Sequence, residues 1–130
     1  MTRLTVRIDL AGDAAFGPGK ARLLELVDET GSIRAASAAM GMSYRRAWLL
    51  LQDIEAVIGS PALNTRAGGA TGGGASLTKR GRAVLEYYRA IERRATHAAA
   101  SELRALARLA AGVPARANTS FATRLKRSSS

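Results

Sequence analysis

The alternation of apolar and polar side chains near the amino terminus predicts a half-buried strand over residues 2–10. Leu4, Val6, Ile8 and Leu10 alternate with polar residues there, which is the period of a strand with one buried face. A break rich in glycine follows from Gly12 to Gly19, and Pro18 in it indicates a turn or the entry to a helix.

Three helices are predicted after this break, because apolar residues recur at helical spacing between glycines. The first runs from Lys20 to Thr30 and ends at Gly31. The second is short, begins after a Ser32 cap and closes at Gly41. The third begins after Ser43 and runs to about Ile58. Its apolar stripe comprises Ala47, Leu50, Leu51, Ile54, Val57 and Ile58.

A β-hairpin and one long helix are predicted to complete the chain. Residues 62–66 and 75–77 are the expected strands, and the glycine-rich run 68–74 between them is the expected loop. Thr78 is then expected to cap a helix reaching residue 111, roughly 50 Å long. This order predicts a head over residues 1–77, a long helix over 78–111 and a mobile basic tail over 112–130.

The second and third helices, joined by Gly41-Met42-Ser43, have the order and turn composition of a helix-turn-helix. The third helix carries Arg45 and Arg46 in its first turn, where the helix dipole disfavours cations. Asp53 and Glu55 lie toward the opposite end, which is also unfavourable. Such a mismatch indicates either base contacts by the arginines or an ordinary helical hairpin with a solvated arginine pair.

The overall charge favours a polyanionic partner. The chain has 20 Lys and Arg against 10 Asp and Glu, a formal net charge of +10. Nucleic acid is the first interpretation, an acidic membrane surface the second, and an arginine-rich proteome the alternative without a partner. The absence of cysteine excludes disulfides and thiolate chemistry. The sequence contains no apolar run of signal-peptide or membrane-spanning length, so we expect a cytoplasmic protein.

The glycine-rich hairpin is predicted to be a wing that touches the DNA backbone beside the third helix; the alternative is a solvated loop. Arg66 lies at its start, and Lys79, Arg80 and Arg82 follow it at a helix amino terminus, where free N–H groups attract phosphate. The complete predicted set of DNA-contacting residues is Ser32, Arg34, Ser43, Tyr44, Arg45, Arg46, Arg66, Thr71, Thr78, Lys79, Arg80 and Arg82.

The long helix is predicted to pair with a second copy of the chain, because its apolar residues have heptad-like spacing. The predicted dimerisation residues are Val84, Tyr88, Ile91, Ala95, Ala98, Leu103 and Leu106. The alternatives are that the helix packs onto its own domain or frays at its alanine-rich end. A dimer would match the two half-sites of a palindromic operator.

No enzymatic chemistry is predicted. The glycine run fits no nucleotide-binding signature, and no catalytic pair of carboxylates is found. His97, the only histidine, lies among alanines without a second ligand at metal spacing, so we expect a surface residue, no metal site and no cofactor. Trp48 is interpreted as a packing residue.

Residues from about Gly19 to Ile91 resemble the amino-terminal domain of ModE-type, molybdate-responsive regulators, within the LysR-type winged helix group. The matching stretches are Gly19-Lys20-x-Arg22-Leu23-Leu24, Gly31-Ser32-Ile33-x-x-Ala36-Ser37, Met42-Ser43-Tyr44-Arg45-x-Ala47-Trp48 and Gly72-Gly73-Gly74-Ala75-x-Leu77-Thr78-x-x-Gly81. The resemblance implies a winged helix-turn-helix, mainly α with a small β-wing, followed by a long dimerisation helix. It also implies operator contacts by Ser43, Tyr44, Arg45 and Arg46, and backbone contacts by the wing and Thr78.

Full-length members of this family carry carboxy-terminal barrel-like domains that bind molybdate. No strand-rich segment follows the long helix here, so we do not expect direct molybdate binding. The leading hypothesis is a regulator that binds double-stranded DNA as a homodimer. An architectural DNA-binding protein of low specificity and a small-oxyanion (molybdate) binding regulator are the alternatives.

Overall fold

A computed structural model of the chain describes residues 2–10, 12, 14–66 and 74–111. The helices are α1 (Pro18–Thr30), α2 (Ile33–Ala39), α3 (Tyr44–Ile58), α4 (Lys79–Ala98) and α5 (Ala100–Ala110). The strands are β1 (Ile8–Asp9), β2 (Ala15–Phe16), β3 (Leu63–Arg66) and β4 (Gly74–Leu77). Residues Thr5–Ala95 form one compact unit, which is the head; of the other described residues, 2–4 and 96–111 belong to a smaller unit.

Local signals in the sequence account for the bounds of α1, α2 and α3. Gly31 ends α1 with a φ of 70°, in the left-handed region that glycine adopts without strain. The Ser32 hydroxyl accepts a hydrogen bond from the Ala35 N–H at 3.1 Å and so caps α2. The Ser43 hydroxyl accepts one from the Arg46 N–H at the same 3.1 Å and caps α3. The predicted helix-turn-helix is therefore confirmed.

The core of the head is formed mainly by α1 and α3, with the wing leucines and Tyr88 of α4 packed into it. Leu23, Leu24 and Val27 of α1 are fully buried, as is Ala47 of α3. Each buried leucine contributes about 1.5–3 kcal/mol relative to an exposed one. The complete buried apolar set is Phe16, Ala21, Leu23, Leu24, Leu26, Val27, Ala36, Ala47, Leu51, Ile54, Ala62, Leu63, Leu77 and Tyr88.

The wing is an antiparallel pair of β3 and β4 in which Leu63 lies opposite Leu77 and Arg66 opposite Gly74. Both leucines are buried, so the base of the hairpin belongs to the core. The predicted strand pair is confirmed within one residue at each start. The connecting run 67–73, and with it the predicted contact Thr71, lies outside the described residues.

The amino-terminal strand is shorter than predicted. Only Ile8 and Asp9 pair, with Phe16 and Ala15 of β2, a strand that we did not predict. The partner strand is two residues long, so it cannot pair with the rest of residues 2–10. The Lys20 ammonium donates to the Ala15 carbonyl at 2.6 Å and ties this hairpin to α1.

The predicted long helix is divided in two at Ala99, whose φ of −95° and ψ of 11° leave the α-helical region. Ala98, Ala99 and Ala100 have the highest helix propensity of any residue type, so local sequence predicts continuity there. The head also extends to Ala95 and includes most of α4, beyond the predicted boundary at residue 77.

Candidate nucleic-acid interface

The first turn of α3 presents its polar side chains to solvent. Tyr44 is 42% exposed, and Ser43, Arg45 and Arg46 are exposed as well. Among the described residues, no carboxylate lies within ion-pair distance of Arg45 or Arg46. Two cations therefore stand at the positive end of a helix without a counter-charge, an arrangement that a polyanion would relieve.

Predicted contacts that are far apart in the sequence come together around one surface cavity. This cavity, of about 250 Å³, lies between α2, α3 and the wing. Its lining includes Ser32, Arg34, Tyr44 and Arg66, all members of the predicted contact set. The Arg34 guanidinium lies 4.8 Å from the centre of the Tyr44 ring, a cation–π contact that holds both side chains at the rim.

The wing is attached firmly at the start of β3. The backbone N–H of Ala62 donates to the Glu55 carboxylate at 3.0 Å, and the Ala62 carbonyl accepts from the Thr78 N–H at 2.9 Å. The Thr78 hydroxyl donates to the Pro61 carbonyl at 2.8 Å and accepts from the Gly81 N–H at 3.1 Å. Residues 61–62 are thus bonded to the end of α3 and the start of α4, which orients the wing relative to α3.

Gly81 makes this attachment possible, because α4 passes very close to the backbone of Ala62. A Cβ atom placed on Gly81 would overlap the carbonyl oxygen of Ala62 and lie 3.0 Å from its carbonyl carbon. The other strand of the wing is fixed to α1, since the Ala75 N–H donates to the Gly31 carbonyl at 2.8 Å. The Leu-Thr-x-x-Gly motif therefore has a packing reason as well as the predicted contact by Thr78.

The structure explains half of the charge mismatch predicted for α3. Glu55 opposes the helix dipole, but its carboxylate accepts the Ala62 N–H, and Asp53 lies 3.8 Å from the Lys20 ammonium. These two acidic residues have partners inside the protein. Arg45 and Arg46 are the part of the mismatch that the described residues leave unexplained.

The cations at the start of α4 are arranged differently. Arg82 makes a two-bond ion pair with Asp28 of α1, at 3.0 and 3.1 Å. Hydrogen bonding to this carboxylate raises the pKa of the Arg82 guanidinium. Arg80 donates to the Ile58 carbonyl at the end of α3 at 3.3 Å, and Lys79 is exposed. DNA contact by these three residues stays a prediction, but Arg82 and Arg80 also connect α4 to the rest of the head.

A second ion-pair cluster joins α1 and α4. Arg89 contacts Glu25 of α1 and donates to Glu92 at 2.6 Å. Partial burial opposes the charge of Arg89, but hydrogen bonds to Glu92 and Glu25 outweigh it and raise the pKa of the guanidinium. Both clusters hold α4 against α1 within the head.

The structure corrects the predicted dimerisation face at Tyr88. This side chain is 2% exposed, packs edge-on against Phe16 with ring centres 5.1 Å apart, and donates to the Val6 carbonyl at 2.6 Å. Val84 packs against the same core. The heptad pattern at these two positions therefore reflects packing within the chain, which was the alternative interpretation.

The remaining predicted dimerisation residues differ in exposure. Ile91 is 42% and Leu106 is 58% exposed; Ala98 is exposed, and Ala95 and Leu103 are half-buried. Sequence reasoning missed Tyr87, 74% exposed next to Tyr88, and Leu109, 77% exposed. Within the head, Tyr87 and Ile91 border an apolar groove of about 350 Å³ that also includes Leu10, Phe16 and Ile54. The spacing of apolar residues along α4 does not show which side of the helix faces the core, so the sequence alone could not identify which of them are exposed.

Two residues were interpreted as surface or packing positions from the sequence. His97 is exposed, as predicted. Trp48 is 45% exposed, and so the packing interpretation was wrong for half of its surface.

The described residues contain no group of three or more histidine or acidic side chains able to hold a metal ion. None of the helices described has the length and apolarity needed to cross a bilayer.

The chain is similar to several molybdenum-related proteins. It is 36% identical over 93 residues to the molybdenum transport protein ModE of Azotobacter vinelandii, covering 70% of this chain and 34% of that protein. It is 32% identical over 97 residues to the transcriptional regulator ModE of Haemophilus influenzae, covering 75% and 38%. The molybdenum-pterin-binding protein MopB of Rhodobacter capsulatus is 38% identical over 79 residues, covering 61% and 29%. The chain thus spans about a third of the length of these relatives.

Among solved structures, the crystal structure of the CbnR DNA-binding domain in complex with DNA resembles this structure with a TM-score of 0.54 at 27% identity. The match covers 68% of this chain and 95% of that one. No model of a protein family matches the chain. The resemblance to ModE-type regulators and the winged helix-turn-helix fold are both confirmed by these comparisons.

Proposed function

We propose that this chain, a winged helix protein similar in sequence to ModE-type regulators, is a DNA-binding transcriptional regulator that recognises a palindromic operator as a homodimer. The observation that carries the proposal is the grouping of Arg34, Tyr44 and Arg66 around one cavity, beside two arginines without counter-charges. A cationic face formed by a recognition helix and a wing is the arrangement with which winged helix proteins bind duplex DNA.

The roles follow from the chemistry of each group. The first turn of α3 enters the major groove, where Arg45 and Arg46 can make bidentate hydrogen bonds to guanine. Ser32 and Ser43 cap α2 and α3, and the hydroxyl and free N–H groups at these helix starts suit phosphate. Arg66, the last residue of β3 in the wing, contacts the phosphate backbone of the DNA.

The chain's net charge of +10 adds affinity that does not depend on sequence. Each phosphate contact releases counter-ions. A plot of the logarithm of the binding constant against the logarithm of the salt concentration therefore has a slope of about −0.9 for each contact. Specific recognition therefore has to be measured against random duplexes at a fixed salt concentration.

The dimer is proposed to form through the exposed apolar residues of α4. Tyr87 at 74% and Ile91 at 42% exposure lie one turn apart beside the apolar groove of the head. A second copy of the chain supplies the same residues in return, as a two-fold interface requires. Two heads held in this way would match two half-sites one helical turn of DNA apart.

Selection from a pool of random duplexes, followed by sequencing of the bound fraction, tests the proposal. We expect an enriched palindrome, with Arg45→Ala and Arg46→Ala weakening its binding and Arg93→Ala, an exposed arginine of α4, serving as the control for lost charge. Binding without enrichment would instead support the architectural alternative. Absence of binding would overturn the proposal and favour an oxyanion ligand.

Sedimentation of the chain with and without the operator tests the dimer separately. We expect a dimer for the unchanged chain and a monomer for the double variant Tyr87→Asp with Ile91→Asp. Arg93→Asp introduces a carboxylate on the same helix outside the groove lining and should leave the dimer intact. A dimer that survives the double variant would refute this interface.

A further inference from the structure

The only tryptophan of the chain lies half-exposed on the recognition helix. Trp48 is 45% exposed, one turn after Tyr44 at 42% and next to Leu49 at 51%. Residues four apart in a helix share a face, so the Tyr44 and Trp48 rings continue one surface. An apolar patch on the helix that carries Arg45 and Arg46 differs from isolated exposed apolar residues, because contiguous patches mark contact surfaces.

The surroundings of Trp48 leave both sides of the side chain accessible. It borders the cavity of about 250 Å³ that contains Arg34 and Arg66, and also a neighbouring cavity of about 240 Å³ that contains Leu51 and Pro61. Thr65 of β3 lines both cavities. The indole thus forms a ridge between the recognition helix and the wing, flanked by cations on one side.

The chemistry of the indole distinguishes it from its neighbours. Guanidinium groups and backbone N–H groups suit phosphate, and Arg34 and Arg66 already supply guanidinium groups at this face. An indole has one donor and a large apolar surface. In the major groove, the 5-methyl group of thymine is the apolar feature of the base edges.

We propose that Trp48 is a specificity-determining residue that contacts the 5-methyl group of a thymine in the operator. This inference rests on the proposed DNA binding and adds to it a base preference and a residue that sequence reasoning assigned to packing. The contact lies between the arginines of α3 and the wing, so the thymine is expected within the half-site, beside the guanine contacts.

Replacing each operator thymine by uracil removes the methyl group and leaves the hydrogen-bonding edge unchanged. For the unchanged chain, we expect uracil at one position of each half-site to weaken binding about fourfold, as one methyl group suggests. In Trp48→Ala the same replacement should have no effect. Leu49→Ala, equally exposed on the next position of the helix and outside both cavity linings, should keep the fourfold loss.

A chain indifferent to uracil at every thymine would overturn the inference, as would a fourfold loss that persists in Trp48→Ala. An equal loss of Trp48→Ala on all duplexes would mean phosphate contact or packing only. If no duplex is selected at all, the proposed function itself fails, which is a separate outcome.

Fluorescence of the single tryptophan provides a second measurement on the unchanged chain, should Trp48→Ala fail to fold. Quenching by acrylamide reports the accessibility of this one side chain. We expect the thymine operator to protect Trp48 more than the operator with uracil at the identified position. Equal protection by both duplexes would contradict the methyl contact. Trp48→Phe, which keeps an apolar ring, should retain most of the discrimination between thymine and uracil.

Discussion

The starts of α3 and α4 have similar sequences and opposite surroundings. Each begins with a hydroxyl cap, Ser43 or Thr78, and carries arginines in its first turn. At α4 these groups have partners within the protein: Arg82 forms an ion pair with Asp28, and the Thr78 hydroxyl donates to the Pro61 carbonyl. At α3 the arginines are exposed, and the described residues place no carboxylate beside them.

This difference indicates that the polar groups at the start of α4 attach that helix to the rest of the head, whereas those at the start of α3 are available to bind DNA. A cation whose donors are already bonded to a carboxylate has less to offer a phosphate or a base. We therefore expect substitutions at the start of α4 to act mainly on stability, and those at the start of α3 mainly on DNA affinity. Five predictions examine this division, from the largest expected effect to the smallest.

Gly81→Ala should lower the free energy of unfolding by about 3 kcal/mol, because the added Cβ overlaps the Ala62 backbone and forces α4 away from the wing. Urea denaturation measures the change. Gly19→Ala is the matched control, since a Cβ there meets nothing within 4 Å and alanine favours the helix. Equal behaviour of the two variants would show that α4 does not pack closely at Gly81.

Arg45→Ala and Arg46→Ala should each weaken operator binding by about 1–3 kcal/mol if they contact bases. Neither should lower the unfolding midpoint, because neither side chain has a carboxylate partner in the described part of the chain and each is disfavoured by the α3 dipole. Titration of labelled operator and thermal unfolding give the two quantities.

Arg82→Ala is the counterpart at α4, where the Asp28 ion pair is lost. We expect a lower unfolding midpoint than that of the unchanged chain. The difference should become smaller at high salt concentration, because the ion pair is half-exposed and salt screens it. Its operator affinity should fall less than that of Arg45→Ala. A larger affinity loss for Arg82→Ala would reverse the division between the two helix starts.

Removing the caps should give unequal losses of stability. Ser43→Ala loses one capping bond, about 1 kcal/mol. Thr78→Ala loses a cap and also the bond to Pro61, about 2 kcal/mol in total. Replacement by serine at position 78 should restore most of the loss. Equal costs at both caps would mean that the Pro61 bond contributes little.

The smallest effect concerns Tyr88, which α4 directs into the core. Burial, reinforced by Glu92, raises the pKa of the Tyr88 hydroxyl, so the folded state favours the neutral phenol. Its contribution to stability is complete below the unfolded pKa of about 10 and is lost as pH rises through the higher folded pKa. Tyr88→Phe should therefore flatten the alkaline decline of the unfolding free energy, although it also loses the Val6 bond.

Tyr87→Phe is the control for this measurement, because its ring is 74% exposed one position away. It should keep the alkaline slope of the unchanged chain. An equal slope in all three proteins would show that Tyr88 does not ionise in this range.

The sequence by itself determined the helix-turn-helix, the wing strands and the cationic residues of the predicted contact set. These features depend on short-range physics: Ser32 and Ser43 cap the next turn, Gly31 and Gly59 end helices in the left-handed region, and apolar spacing defines the buried face. Such signals lie within a few residues of the structure they produce, so a single amino-acid sequence is enough to identify them.

Only the tertiary structure decided what the side chains of α3 and α4 contact. Tyr88 lies in the core because β2, absent from the prediction, brings Phe16 against it. Glu55 and Arg82 have partners 7 and 54 residues away in the chain. Trp48 stays half-exposed at the boundary of the wing. Burial and partner choice depend on elements distant in sequence, and a helical period leaves the rotation of each helix against them undetermined.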